Sequence, residues 1–364
     1  MSSSPSVSNK PVGTTRVGIA GAGAPGIAHA QGIAQSGGMK VVAVADLIPA
    51  RRDHLVSLAP GARSCSDAME LVQDAGVDLI SICLPTHLHA PVALAALKAG
   101  KHVVIEPPPG LSVKEAKQID SAAVKYGKVV VYAMQRRFGA GEQATRQALE
   151  KGYAGDIKHA RVAWMRTRGV PGGTGWYTDR TRSGGGALID LGTHMLDLAW
   201  YLMGSPAPLT VFAKSHAQFT PVQQSPAPDA PVNPVEDSAF ALIGFEGGRT
   251  LELSCAWAFN QPPQQEGVVC RLYGTSGAVD VYTPQGAVLY RNLDSKTTTS
   301  VTPLKPPKTV HHAALMRHVR ECIIGKATPA PGAHDGLMLM QMIEAMYRSI
   351  ETGKSADVKG VKSR

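Results

Sequence analysis

The sequence predicts two domains of different class: a doubly wound α/β domain with a parallel sheet, followed by an α+β domain built on a large, mostly antiparallel open sheet. Three observations carry this. A glycine-rich turn joins the first short apolar run to a helical pattern. Apolar runs then alternate with amphipathic stretches as far as residue 138. Beyond that point strand-like runs follow one another, with one long helix among them and another at the end. A chain of 364 residues is long enough for two cores. The expected division is a disordered tail over 1–15, an α/β domain over 16–138 and an α+β domain over 139–364, whose final segment packs back on the first.

Residues 16–20 read as a strand. GAGAPG (21–26) follows directly and opens a helical pattern through IAHAQGIAQ, and the next strand, KVVAVAD, ends in Asp46, about twenty residues past the last glycine. Alone, this glycine spacing is a weak signal. Between a strand and a helix, with an acid ending the next strand, it reads as the dinucleotide-binding turn of a Rossmann domain. Gly21 makes the turn, Gly23 lets the backbone approach a pyrophosphate, and Gly26 lets helix and strand pack. Ala24 and Pro25 lie at the start of a helix whose N-terminus faces the negative charge. Asp46 would accept hydrogen bonds from ribose hydroxyls and repel a 2′-phosphate, which favours NAD. Arg51 and Arg52 keep NADP possible.

The alternation continues. VDLISICLPT (77–86) is a buried strand, HLHAPVALAALKAG an amphipathic helix, KHVVIEPP a strand, SVKEAKQIDSAAVKYG a helix and KVVVYAM (128–134) a strand. Ligands in such sheets sit at the carboxyl ends of the strands. The expected cofactor contacts are therefore Gly21, Gly23, Ala24, Pro25, Gly26, Asp46, Arg51, Leu84, Pro85, Thr86, His89, Glu106, Pro107 and Gln135. One strand end is unusual: in HVVIEPPPG (102–110) a single carboxylate, Glu106, meets three prolines. Proline has no N–H to give a sheet and restricts the residue before it, so the strand stops and the chain leaves stiffly.

In the second half, residues 156–167 alternate as a strand, RGVPGGTGWYTDRTRSGGG is a glycine-rich loop, and ALIDLGTHMLDLAWYLMG is a helix. Strands are expected at roughly 209–218, 235–245, 249–260 and 267–273, with a Pro-rich loop, PVQQSPAPDAPVNP, between the first two. A helix, GLMLMQMIEAMYRSIETG, closes the chain.

Composition limits the function classes. The formal charge is +9, but the basic residues are spread along the chain and aromatics are 5%, which argues against a nucleic-acid surface and is better explained by an anionic small molecule. No apolar run reaches a membrane span and the first residues lack an apolar signal core, so a cytoplasmic protein is expected. Cys65, Cys83, Cys255, Cys270 and Cys322 show no paired spacing and read as buried free thiols. No clustered ligand set suggests a metal.

GAGAPG, LPTHLHAPVALAALKAGKHVVIEPP, RRFGAGEQATRQALEKGYAGDI, SGGGALIDLGTHMLDLAWYLMG, VEDSAFALIGFEGG and LYGTSGAVDV together resemble the Gfo/Idh/MocA oxidoreductases, over nearly everything from residue 16 to 358. The resemblance implies a Rossmann domain, a C-terminal domain whose open sheet forms homodimers or homotetramers, and a nicotinamide cofactor acting on a sugar, cyclitol or related polyol. Its DxGxH pattern falls on Asp190 and His194, four residues apart on one helix face. Histidine can take a hydroxyl proton as hydride leaves the carbinol carbon, and a carboxylate can orient it or hold hydroxyls. Asp197, one turn on, reads as structural. His89 matches the family's histidine near the nicotinamide, with helix capping or packing as its other reading. Arg136, Arg137, Trp176 and Tyr177 occupy loops that could line a substrate pocket together with Asp190 and His194. Trp176 could stack on a sugar face or anchor its loop.

One departure matters. The family ends this strand in Glu-Lys-Pro, the lysine being its acid/base and a cis peptide often preceding its proline; here Pro107 stands in the lysine's place and Pro108 matches the proline. Three readings follow: a dehydrogenase in which His194, with Tyr177 or a water, does the proton work; an NAD-bound enzyme that recycles its cofactor through transient oxidation, giving elimination, glycosidic cleavage or aromatisation; and a cofactor-binding, non-catalytic or regulatory homologue.

Overall fold

A computed structural model describes residues 13–171, 175–219, 235–292, 299–305 and 311–360. Most of the expected tail and the loop PVQQSPAPDAPVNP lie outside the described residues. The first strand begins at Thr15, one residue inside the expected tail, because its amide already bonds to Gly38 O and pairs the chain with the next strand.

In the first domain the elements alternate: β1 (Thr15–Ala20), α1 (Ala24–Ser36), β2 (Met39–Ala45), α2 (Pro49–Leu58), β3 (Arg63–Cys65), α3 (Ala68–Gln73), β4 (Leu79–Ile82), α4 (His89–Lys98), β5 (His102–Ile105), α5 (Val113–Tyr126) and β6 (Val130–Tyr132). The strands form one parallel sheet in the order β3-β2-β1-β4-β5-β6. The order reverses beside β1, the topological switch point where such sheets open a crevice. Both faces of the central strands are buried, so β4 and β5 are mostly apolar and neighbouring residues in them serve opposite faces. Leu79 and Val104 pack with Ala30 and Ile33 of α1, whereas Ile80 and Val103 pack with Ala93 and Leu97 of α4 and Ile119 of α5.

The second domain adds α6 (Ala140–Glu150), β7 (Ile157–Met165), α7 (Arg180–Ser183), α8 (Thr193–Leu202), β8 (Pro208–His216), β9 (Ser238–Phe245), β10 (Arg249–Ala256), β11 (Gly267–Gly274), β12 (Ala278–Thr283), β13 (Gly286–Asn292), β14 (Thr299–Pro303), α9 (His311–Ile323), α10 (Ala333–Thr352) and β15 (Ala356–Asp357). Its sheet runs β14-β13-β12-β11-β7-β10-β9-β8-β15 and is antiparallel except where β7 lies parallel to β10. Helices α6, α8 and α10 pack on it. The outward side of the β8–β9–β10–β7–β11 strands carries the register row Phe212, Leu242, Glu252, Arg161, Arg271, apolar at one end and charged at the other.

Two expectations change. The long terminal helix does not close the chain: Gly353, at a φ of 70°, ends α10, and β15 then pairs with β8 at the sheet edge. A helix unforeseen in the sequence, α9, crosses back onto the first domain, placing Leu315, Met316 and Val319 in the core beside α1. Gly32 permits this approach, since a Cβ there would stand 2.9 Å from His312.

Candidate active site

The carboxyl ends of the parallel strands and the loops before α7 and α8 enclose a cleft of about 730 Å³. Its first wall is the glycine turn, where the three glycines do different work. Gly21 has a φ of +99°, and a Cβ on it would lie 2.3 Å from Cys83 O; a Cβ on Gly26 would lie 2.0 Å from Gly21 O. Those two are demanded by the fold itself. Gly23 is different, because a Cβ there would meet only Pro25, at 3.8 Å, and otherwise opens into the cleft. It caps α1, with Pro25 in the first turn where a missing N–H leaves no donor unpaired. The turn therefore presents bare backbone and a helix N-terminus to the cleft, which fits the pyrophosphate of a dinucleotide.

Asp46 borders the same cleft. Its Oδ2 accepts from Ala22 N–H at 2.7 Å and its Oδ1 from Ile48 N–H at 2.8 Å, so the carboxylate is held in place at the cleft. Arg51 lines the cleft, while Arg52 turns back and donates to Asp46 O. Leu84, Pro85 and Thr86 form the edge between β4 and α4. Gln135 lines the opposite side with its buried Oε1 lacking a hydrogen-bond partner, a polar atom left for a ligand.

At the strand corner the Pro107–Pro108 peptide is cis, as the resemblance led us to expect. His89 is buried, with Nδ1 2.8 Å from Pro108 O and Nε2 2.7 Å from Leu84 O. It ties the two strand ends together while also lining the cleft, and burial lowers its pKa despite those carbonyls. Glu106 forms part of the cleft floor. Its Oε1 lies 2.7 Å from Nε2 of His29, a fully buried residue of α1, whose Nδ1 is 2.7 Å from Ser81 Oγ. Burial works against the Glu106 charge, yet His29, and then His194 and His312, hold its pKa below the ordinary value.

The second domain supplies the other wall. Asp190 sits in a π-helical turn, Leu188–Gly192, that runs into α8, and His194 follows in the first turn of that helix; both line the cleft. Such a widened turn re-aims side chains and recurs at functional sites. Neither nitrogen of His194 has a hydrogen-bond partner among the described residues, and Nδ1 is buried. Burial pushes its pKa below 6.5 and Arg136 adds to this, while Glu106, Asp190 and Asp197 pull the other way. The ring is thus neutral near pH 7 and able to accept a proton. Tyr177 also lines the cleft; its pKa is raised to about 12 by burial, Asp190 and Glu106, so it is a hydroxyl and a donor. Trp176 stacks on Tyr177 with ring centroids 3.8 Å apart, and both rings face the cleft.

Two expected substrate contacts are placed elsewhere. Arg137 is buried and grips Asp197 with two hydrogen bonds, Nε to Oδ2 at 2.8 Å and Nη2 to Oδ1 at 2.5 Å, and does not line the cleft. A guanidinium committed in this way joins α8 to the Gln135–Phe138 turn. Arg136 lies 4.2 Å above the Trp164 ring and donates to Tyr282 OH, so it reaches the cleft only through its charge on His194. Cys83, expected to be buried in a strand, follows β4 and lines the cleft half-exposed. Sequence reasoning missed Trp257, whose Nε1 donates to Asp190 Oδ2 at 2.7 Å, and His29. His29 had a signal: it stands in a helix whose neighbours on the buried side, Ala30 and Ile33, are apolar.

Comparison with known proteins agrees with this architecture. Two Gfo/Idh/MocA family profiles match, one described as "Oxidoreductase family, NAD-binding Rossmann fold" over residues 15–134 and one as "Oxidoreductase family, C-terminal alpha/beta domain" over 146–359. D-glucoside 3-dehydrogenase of Escherichia coli (strain K12) is 31% identical over 94% of this chain and 97% of its own length. Myo-inositol 2-dehydrogenase of Thermotoga maritima is 26% identical over 52% of this chain and 55% of its own. Among solved structures, levoglucosan dehydrogenase in complex with NADH and levoglucosan superposes with a TM-score of 0.83 at 20% identity, covering 95% of this chain and 99% of that one, a likeness of fold.

Proposed function

The chain belongs to the Gfo/Idh/MocA family of NAD-dependent oxidoreductases, and from that premise we propose that it interconverts a secondary alcohol and a ketone on a sugar, cyclitol or related polyol, with His194 carrying the proton. The observation that carries this reading is His194 itself: a neutral, unpartnered imidazole on the cleft wall, opposite the glycine turn, with no lysine at the strand corner to share its task. The nicotinamide, when bound, takes or gives the hydride at the carbinol carbon. Everything else falls to the chain's own groups.

In the oxidising direction His194 receives the hydroxyl proton and becomes an imidazolium, favoured by the carboxylates of Asp190 and Glu106. Asp190, held by Trp257, keeps a fixed carboxylate for neighbouring sugar hydroxyls. Tyr177 donates a hydrogen bond, and Trp176 presents an aromatic face that suits the C–H side of a pyranose ring. Gly23 and the N-terminus of α1 would hold the pyrophosphate, and Asp46 would take the adenosine ribose hydroxyls, which favours NAD over NADP.

Relatives named for D-glucoside, myo-inositol and levoglucosan support a cyclic polyol as substrate. The exposed pair Phe212 and Leu242 on the open sheet supports a homodimer or homotetramer formed there, and among the described residues no helix is long and apolar enough to cross a membrane, which agrees with the cytoplasmic site we propose. Following NADH absorbance with purified protein, NAD and a panel of pyranosides and cyclitols tests the reading. Substrate consumed without net NADH would favour a recycled cofactor instead.

A further inference from the structure

His29 is a fully buried polar group behind the cleft and takes no part in the mechanism above. It lies on the helix behind the glycine turn, fully buried, with Nε2 on Glu106 Oε1 and Nδ1 on Ser81 Oγ, each at 2.7 Å, and with Cys83 Sγ 3.4 Å from Nδ1. Glu106 keeps its other oxygen, Oε2, without a hydrogen-bond partner among the described residues, and its side chain is 16% exposed on the cleft floor. A carboxylate so enclosed would take up a proton unless a partner held its charge. Pro107 brings no ammonium to this corner, and His29 is the one side chain bonded to Glu106 among the described residues.

We propose that His29 is a positioning residue: by donating from Nε2 it keeps Glu106 a carboxylate, and that charge stabilises the imidazolium His194 becomes when it takes the substrate proton. The inference rests on His194 as the proton carrier. The groups facing each member agree with it. Around Glu106 stand His29, His194 and His312, all of which favour its charge. Around His194, Glu106 favours protonation most among the charged groups, with Asp190 and Asp197 in support and Arg136 opposed. Around His29 lie Cys83, Ser81, Glu106 and the ring of His312, 6.0 Å away. Burial opposes the charge on His29, but Cys83 and Glu106 raise its pKa well above the ordinary imidazole range. Proton bookkeeping is simple: the proton leaves the substrate oxygen for His194, while Glu106 keeps its charge and His29 its Nε2 proton throughout.

The test is a ¹⁵N-edited NMR titration of the full chain, with and without NAD, assigning His29 and His194 with the H29Q and H194Q proteins. Unaltered protein is expected to hold a proton on His29 Nε2 at neutral pH. H29Q and E106Q should each lower the His194 midpoint, E106Q by about one pH unit, roughly a tenfold change in proton affinity. The double variant H29Q/E106Q should move it no further than E106Q alone, and the acid limb of kcat/KM in H29Q should shift to lower pH with it. The proposal is overturned if H29Q leaves the midpoint in place while E106Q moves it, if the two shifts add, or if His29 Nε2 in the unaltered protein carries no proton at neutral pH. That last measurement needs no variant to fold. Because the titration needs no turnover, H194Q with undiminished activity would overturn the proton-carrier reading separately.

Discussion

Trp257 Nε1 donates to Asp190 Oδ2 across 2.7 Å, joining the residue just past β10 to the π-helical turn that carries half of the DxGxH pattern. The indole is fully buried, so the carboxylate is aimed by a partner that cannot move aside. Replacing Trp257 by Phe keeps most of the ring and removes the donor. We expect W257F to lower kcat/KM by on the order of tenfold or more, since a hydrogen bond to a charged group is worth about 1.5–3 kcal/mol. Steady-state kinetics, with NAD affinity as the unchanged control, checks this.

The glycine turn separates folding from binding. Gly26→Ala drives a Cβ into Gly21 O and should destabilise the chain by about 1–3 kcal/mol, read as a lower Tm. Gly23→Ala meets nothing nearer than Pro25, so the Tm of the free protein should stay put while NAD binding falls. Melting curves with and without NAD distinguish the two.

Asp46 carries the preference between cofactors. D46A removes the acceptor for Ala22 and Ile48 N–H and the partner of the ribose hydroxyls. KM for NAD should rise by on the order of tenfold to a hundredfold, and the NAD:NADP ratio of kcat/KM should fall.

The Arg137–Asp197 pair is structural in this account. Removing one partner strands a buried charge, so R137A or D197A should cost about 3–5 kcal/mol, whereas R137M/D197L recovers much of it. Denaturant unfolding of the three variants measures this; a change confined to substrate KM at unaltered stability would return Arg137 to the substrate site.

The pH dependence follows from His194. Its pKa is depressed, chiefly by burial, and the neutral ring is the proton acceptor. Oxidation should therefore rise with pH through a limb below 6.5 and be level at neutral pH, while reduction, which needs the imidazolium, should fall over the same range. A kcat/KM–pH profile in each direction checks the sign.

Local rules made much of this readable. The three glycines and Asp46 could be placed because turn, close approach and strand end each demand a residue type within a short stretch; in the structure the glycines make the turn between β1 and α1, and Asp46 follows β2 beside the same cleft. Arg137 and Asp197 show the limit. Sixty positions separate them, and nothing local distinguishes a guanidinium that meets a carboxylate in the core from one that reaches a ligand. Trp257 and His29 were missed for the same reason, their partners Asp190 and Glu106 lying far along the chain. Helix α9 escaped because its packing surface is α1, at the opposite end of the sequence.

The most direct test compares the unaltered protein with His194→Gln for NADH formation on one cyclic polyol that the panel identifies, at equal NAD saturation. The account predicts NADH formation by the unaltered protein and a fall in kcat of about a hundredfold to ten-thousandfold in the variant, the span of an assisted proton transfer, with NAD affinity unchanged. Equal kcat in the two proteins, both folded and both saturated with NAD, would contradict it.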